Sequence, residues 1–233
     1  MKLTIHQPTY WPWLGLLDKI AKSETLVILD SVDVSKGSFQ YRNKFLCQKT
    51  PKFITLPVNV RSRIKFDELK FSNDNWRNHQ VNLIENYYRK SNNYEQVIQS
   101  VKSVYFDFPG ENVNDFIIHT MKKSLDWFGI DVKIIKSSEL NITGSKGELV
   151  HNICKSLNAS AYVSGQGAKN YMTNEDYLNF EKSNISIHWQ SFTHPVYCQA
   201  INSEGFISGL SCIDMLFHMG FDQCSRVFVN GNL

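Results

Sequence analysis

Apolar residues open the chain at Leu3 and Ile5, break off at Pro8 and Pro12, and resume with helical spacing at Leu16, Leu17, Ile20 and Ala21. A continuous β-prone run over residues 25–30 follows and ends in the carboxylate of Asp30. Strand, loop, helix and strand in that order predict a parallel βαβ unit. The loop then lies at the carboxyl end of the first strand, the side on which open α/β sheets hold ligands. Residues 39–45 read as a short extended stretch and residues 53–58 as a proline-bounded strand. Residues 59–72 carry Arg61, Arg63, Lys65, Asp67, Glu68 and Lys70 with little periodicity and read as an exposed loop or irregular excursion.

From residue 76 the period changes. Trp76, Val81, Ile84 and Tyr88 recur at helical intervals with polar residues between them, predicting a helix over 76–89. Further helices are predicted over 94–105 and 113–128, the latter stopped by Gly129. Residues 132–135 return to β character, 147–157 form an amphipathic helix, and Ala161–Ser164 is a buried strand running into a glycine-bearing loop, 165–171. A last β-like stretch covers 185–189, and a last helix covers 211–219 before Gly220. The expected fold is α/β: a mostly parallel Rossmann-like sheet with flanking helices and a helical middle insertion. One domain over 1–233 is expected, with a helical subdomain at about 73–128.

Composition alters this picture little. The 233 residues are 42% hydrophobic and 20% charged, as in ordinary globular proteins, and no Pro/Gly/Ser-rich linker divides them. An aromatic content of 13% suggests a ring-rich core and a stacking surface. A net charge of +3 is too small to imply a nucleic-acid partner. The first residues carry no apolar signal core, and no stretch approaches the roughly 18 apolar residues of a membrane helix. Five cysteines without a CxxC pair argue for thiols in a reducing compartment, so a cytoplasmic protein is expected.

Chemistry concentrates in a few places. His6, Gln7, Tyr10 and Trp13 occupy the loop after the first strand, where an imidazole can exchange protons and rings can cover a sugar or base. The bland alternative is that the two prolines shape a turn while the tryptophans fill the core. Asp30 can reach the same cleft or cap a helix. Arg42 and Asn43 offer a guanidinium fork and an amide to a phosphate or carboxylate, or a solvated surface pair.

Ser164, Gly165, Gln166, Gly167, Lys169 and Tyr171 follow a strand and permit close backbone approach to an anion, although the spacing is neither a Walker loop nor a dinucleotide fingerprint. Lys146 stands just before the helix that leads into that strand, where it projects a charge toward substrate or belongs to a solvated loop. His194, Tyr197 and Gln199 offer acid/base and hydrogen-bonding groups, with core packing of Tyr197 as the alternative. Ser211 reads first as a helix cap and Asp214 as a ligand-binding or first-turn carboxylate. His6, His194 and Asp214 contain no close ligand pair, so no metal is expected. No sequence feature specifies a cofactor.

Residues 5–15 (IHQPTYWPWLG), Arg42-Asn43, and residues 164–171 (SGQGAKNY), 194–199 (HPVYCQ) and 210–217 (LSCIDMLF) together resemble the WbqC-like family over nearly the full chain. The resemblance implies a setting in bacterial O-antigen, capsule or related glycan biosynthesis and brings no established catalytic assignments. The first strand, His6 loop, helix and second strand are more distantly similar to pantothenate synthetase and other HIGH-type nucleotidyl transferases. Their paired histidines are absent, which puts adenylyl chemistry in doubt.

The leading expectation is a transferase acting on a nucleotide-linked or lipid-linked sugar, with an acyl donor and an amino-sugar acceptor as one form of the reaction. His6, His194 and Asp214 would carry the catalysis. The competing expectation is a noncatalytic sugar-nucleotide-binding or assembly protein. A nucleic-acid-modifying protein using Arg61, Arg63 and Lys65 ranks below both.

Overall fold

The computed structural model describes residues 1–61, 63–199 and 205–228. In chain order the strands are β1 (Lys2–His6), β2 (Thr25–Ile28), β3 (Arg42–Cys47), β4 (Thr50–Thr55), β5 (Lys133–Lys136), β6 (Ala161–Ser164) and β7 (Ser186–Trp189). The helices are α1 (Leu14–Ala21), α2 (Trp76–Tyr88), α3 (Tyr94–Phe106), α4 (Val113–Trp127), α5 (Lys146–Ser156), α6 (Asn174–Lys182), α7 (Cys212–Met219) and α8 (Phe221–Cys224). They group into two compact units. The first comprises residues 1–7, 18–31 and 131–192; the second comprises residues 8–17, 32–130 and the described residues from 193 onward.

The first unit is built on a five-stranded sheet in the order β5-β2-β1-β6-β7, with every neighbouring pair parallel. This is the Rossmann-like sheet expected from the sequence. β2 and β6 are buried at every position, which is why Leu26-Val27-Ile28 and Ala161-Tyr162-Val163 read as continuous apolar runs rather than alternating ones. The centre is β1. Chain order runs outward from it through β2 and β5 on one side and through β6 and β7 on the other. β1 stays paired with β2 to its last residue, His6↔Ile28, but its pairing with β6 ends at Thr4↔Val163. The two central strands therefore part at their carboxyl ends.

α6 starts with Thr173, whose hydroxyl accepts from the Asp176 amide at 3.2 Å while the Asp176 carboxylate accepts from the Thr173 amide at 2.7 Å. That carboxylate lies over Gly147 of α5, where a Cβ would come within 2.3 Å of it.

The second unit holds the antiparallel hairpin β3–β4, helices α2 to α4, and α7 with α8. The helical segments follow the predicted period closely. α4 begins at the Asn112 cap, which accepts from the Asp115 amide at 3.0 Å, and ends before Gly129 at φ +64°. Its core is aromatic: Tyr88 stacks on Phe217 at 4.5 Å, Phe71 on Trp76 at 3.8 Å, and Trp11 on Trp127 at 5.5 Å.

Two local expectations shift. The hairpin pairs residues 42–47 with 50–55, not the 39–45 and 53–58 expected, because Gln48 takes φ +58° and makes a tight turn that sets Cys47 opposite Thr50. Residues 59–72 are not simply exposed. Ile64, Phe66 and Leu69 are buried, and residues 66–68 form a 3-10 turn, so three apolar side chains pin a segment whose charges dominate its sequence.

Candidate functional site

Strand order reverses between β1 and β6 and their pairing stops short of their carboxyl ends, the position at which open parallel sheets usually hold a ligand crevice. The β1 side supplies His6 and Gln7, and the β6 side supplies Ser164, Gly165, Gln166 and Gly167. Ideal Cβ atoms built on Gly165 and Gly167 meet nothing within 4 Å. Both glycines thus border open space. Gly165 sits at φ −73°, a conformation any residue adopts, so space rather than backbone strain distinguishes this position.

His6 is set by a backbone contact and a neighbouring charge. Its Nδ1 lies 2.9 Å from the Gln7 carbonyl, a geometry in which Nδ1–H donates and Nε2 carries the lone pair. Burial first, and then the charge of Lys19, push its pKa from 6.5 down to about 3, while the Gln7 carbonyl opposes that shift. The imidazole is neutral at neutral pH.

Lys19, which pattern alone did not single out, is that neighbouring charge. Consecutive carbonyls on a strand point to alternate sides. The His6 carbonyl accepts from Leu29 on the β2 side, so that of Ile5 faces β6. There it accepts from Lys19 Nζ at 3.0 Å, and the side chain is buried. Burial lowers the lysine pKa from 10.5 to about 7. The adjacent Asp18 is committed elsewhere: Lys22 Nζ lies 2.8 Å from it and Gln190 Nε2 donates to it at 2.6 Å. The clue in the sequence was an Asp-Lys pair inside a short, otherwise apolar helix directly after the His6 loop.

The remaining candidates of the first unit are spread around its sheet. Gln166 Nε2 donates to the Gln190 carbonyl at 2.7 Å, and Lys169 Nζ sits 4.8 Å from the centre of the Trp189 ring. Tyr171 is exposed, and its hydroxyl bonds with that of Tyr162. Ser164 is fully buried. Asp30 caps a 3-10 turn: its carboxylate accepts from the Ser138 amide and hydroxyl, both at 2.9 Å, and from the Ser137 hydroxyl at 3.2 Å. Lys146 is exposed at the start of α5 with φ +51°.

In the second unit most of the candidates spend their polar atoms inside the protein. Asn43 Nδ2 donates to the carbonyls of Tyr10 at 3.1 Å and Trp11 at 2.7 Å, holding a loop in which Trp11 takes the uncommon φ of +43°. The buried Tyr10 hydroxyl donates to Gln80 Oε1 at 3.1 Å and bonds with the Tyr105 hydroxyl. The Arg42 guanidinium lies 4.2 Å over the Phe53 ring. Ser211 caps α7 by accepting from the Ile213 amide at 3.4 Å.

Asp214 is fully buried and accepts from Tyr197 Oη at 2.6 Å, Gln199 Nε2 at 3.0 Å and Tyr88 Oη at 3.0 Å. Burial raises its pKa, against the lowering effects of His218 and these donors. His194 is half-buried, with Nδ1 2.8 Å from the Pro195 carbonyl and its ring 5.2 Å from that of Phe206. Trp13 is partly exposed and its indole covers Gly15, where a Cβ would come within 2.2 Å of the ring. Of the basic run, Arg61 pairs with Glu68 at 3.4 Å.

Among the described residues, no three His, Cys, Asp or Glu side chains gather as a ligand set, and no helix is long and apolar enough to cross a membrane. The model of the WbqC-like protein family matches residues 7–226. An uncharacterized Mycobacterium tuberculosis (strain ATCC 25618 / H37Rv) protein, Rv1507c, is 25% identical over 222 residues, covering 94% of each chain. No solved structure matches.

Proposed function

The chain belongs to the WbqC-like protein family, and from that premise we propose that it transfers a group to a nucleotide-linked or lipid-linked sugar bound in the crevice between β1 and β6. The family name points to surface-polysaccharide biosynthesis, and the reaction in this reading is acylation of an amino sugar. What supports the reading is the strand-order reversal, flanked by a neutral histidine on one side and two glycines facing open space on the other.

In this reading the backbone around Gly165 and Gly167 approaches the phosphate and Gln7 orients the sugar. His6 Nε2 takes the proton that the acceptor amine loses as its nitrogen bonds to the acyl carbon and the bond to the acyl carrier breaks. A pKa of about 3 makes His6 a weak base in the free protein. An anionic substrate beside it raises that value, so binding itself prepares the base. The same low value favours a second reading, a sugar-nucleotide-binding protein without turnover.

Native mass spectrometry against nucleotide sugars, with and without an acyl donor, tests both. Expected are a retained sugar nucleotide, its loss in Gly165→Leu and Gly167→Leu proteins of unchanged melting temperature, and an acylated product that requires His6. Retention without product in every donor condition selects the binding protein. Retention that survives filling the crevice overturns the site.

A further inference from the structure

We propose that Lys19 is the anion receptor of this crevice, and that a phosphate of the ligand supplies the counter-charge its buried ammonium lacks in the protein alone. The inference rests on the crevice reading above and adds the residue that selects an anionic ligand.

A buried ammonium is ordinarily matched by a carboxylate, because taking a charge out of water costs more than one neutral hydrogen bond returns. Among the described residues Lys19 Nζ has the Ile5 carbonyl at 3.0 Å and no carboxylate at ion-pairing distance. Asp18, next to it on α1, cannot serve, being held by Lys22 at 2.8 Å and by Gln190 at 2.6 Å. His6 does not offset the charge either, since an imidazole is neutral or positive.

The helix thus carries a lysine where any neutral donor would satisfy the carbonyl. Its location gives the excess charge a use. The Ile5 carbonyl faces the side on which β1 and β6 separate, and the glycines after β6 border open space. A lysine ammonium is a point charge with three rotatable donors; it can keep its bond to Ile5 while meeting one oxygen of a phosphate or diphosphate.

The test is isothermal titration calorimetry at neutral pH of the full chain with inorganic pyrophosphate and uridine diphosphate, alongside thermal melting. The proteins compared are wild type, Lys19→Met, Lys19→Gln and Gly167→Leu. The expected result is binding to wild type, at least tenfold weakening in Lys19→Met and Lys19→Gln, and melting temperatures for both at or above wild type, because an uncompensated charge has been removed.

Lys19→Gln keeps a neutral donor for Ile5, so it carries the measurement if Lys19→Met does not fold. Equal affinity in wild type and the Lys19 variants, or a lowered melting temperature with affinity retained, overturns the role of Lys19 and leaves the crevice standing. Binding that depends on Lys19 but ignores Gly167→Leu overturns the glycine side of the crevice instead. No binding of either anion to wild type overturns both.

Discussion

Two groups of buried polar side chains show what separates a scaffold from a site. Around Asp214, in the second unit, a fully buried carboxylate receives hydrogen bonds from Tyr88, Tyr197 and Gln199. Around His6, in the first unit, a buried lysine donates to the Ile5 carbonyl and a half-buried histidine contacts the Gln7 carbonyl, and the pKa of each is lowered. In the first arrangement the negative charge of the carboxylate is answered by donors of the protein. The second holds two basic groups that gain from an added negative charge. A saturated network supports structure, and an unbalanced one invites a ligand.

The sharpest way to break the contrast is Asp214→Ala. Three donors lose their acceptor at once, and a loss of about 3–5 kcal/mol is expected in chemical denaturation, on the scale of disrupting a buried charged network. A loss below about 1 kcal/mol would place the cluster among dispensable polar groups.

Asn43→Ala comes next. It strips the donors from the Tyr10 and Trp11 carbonyls and should cost about 2–3 kcal/mol by the same measurement.

The first unit should instead reveal itself through pH. Lys19 has a folded pKa of about 7 against 10.5 unfolded, so the unfolded chain binds the extra proton between those values. Stability therefore rises with pH across that window, by up to about 1.4 kcal/mol per unit, and Lys19→Met should flatten the slope. His6 acts likewise between about 3 and 6.5, where falling pH removes the stability its neutral form contributes; His6→Asn should remove that share.

The smallest effect expected is that of Gly15→Ala. The new methyl group displaces the indole of Trp13, which is partly exposed and can swing outward, so about 1 kcal/mol or less of stability should be lost. The Trp13 indole resonance in nitrogen-edited NMR should move, and an unmoved signal would refute the packing.

Much of the architecture was legible because it is periodic. Buried parallel strands announce themselves as apolar runs, and α2 to α4 repeat their apolar positions for three or four turns. The β1 end and the glycines after β6 were recognisable as strand-to-loop junctions. The register of β3 against β4 was not, since it depends on the left-handed backbone of Gln48, a residue with no special preference for it.

Lys19 was hidden for a different reason. Lysines belong on surfaces by default, and nothing in its neighbours says that a carbonyl 14 positions earlier will meet it. The roles of Asn43 and Asp214 were hidden too. Their residue types suit ligand contact equally well, and only tertiary structure brings Tyr88 to Asp214 across 126 positions.

The order of strands in the first sheet also bears on how the chain reaches this structure. β2 and β5 lie side by side, yet residues 29–132 intervene, including the hairpin and three long helices. Closing so large a loop carries an entropic cost that rises only slowly with length but must be met before the pairing gives anything back. The inserted helices and the two-residue hairpin form from near neighbours and face no such delay. Folding should therefore begin within the insertion, with the pairings that span it, β2–β5 and the still longer-range β1–β6, acquiring amide-exchange protection last, so that the protein's proposed chemistry waits on the slowest-assembled part of its sheet.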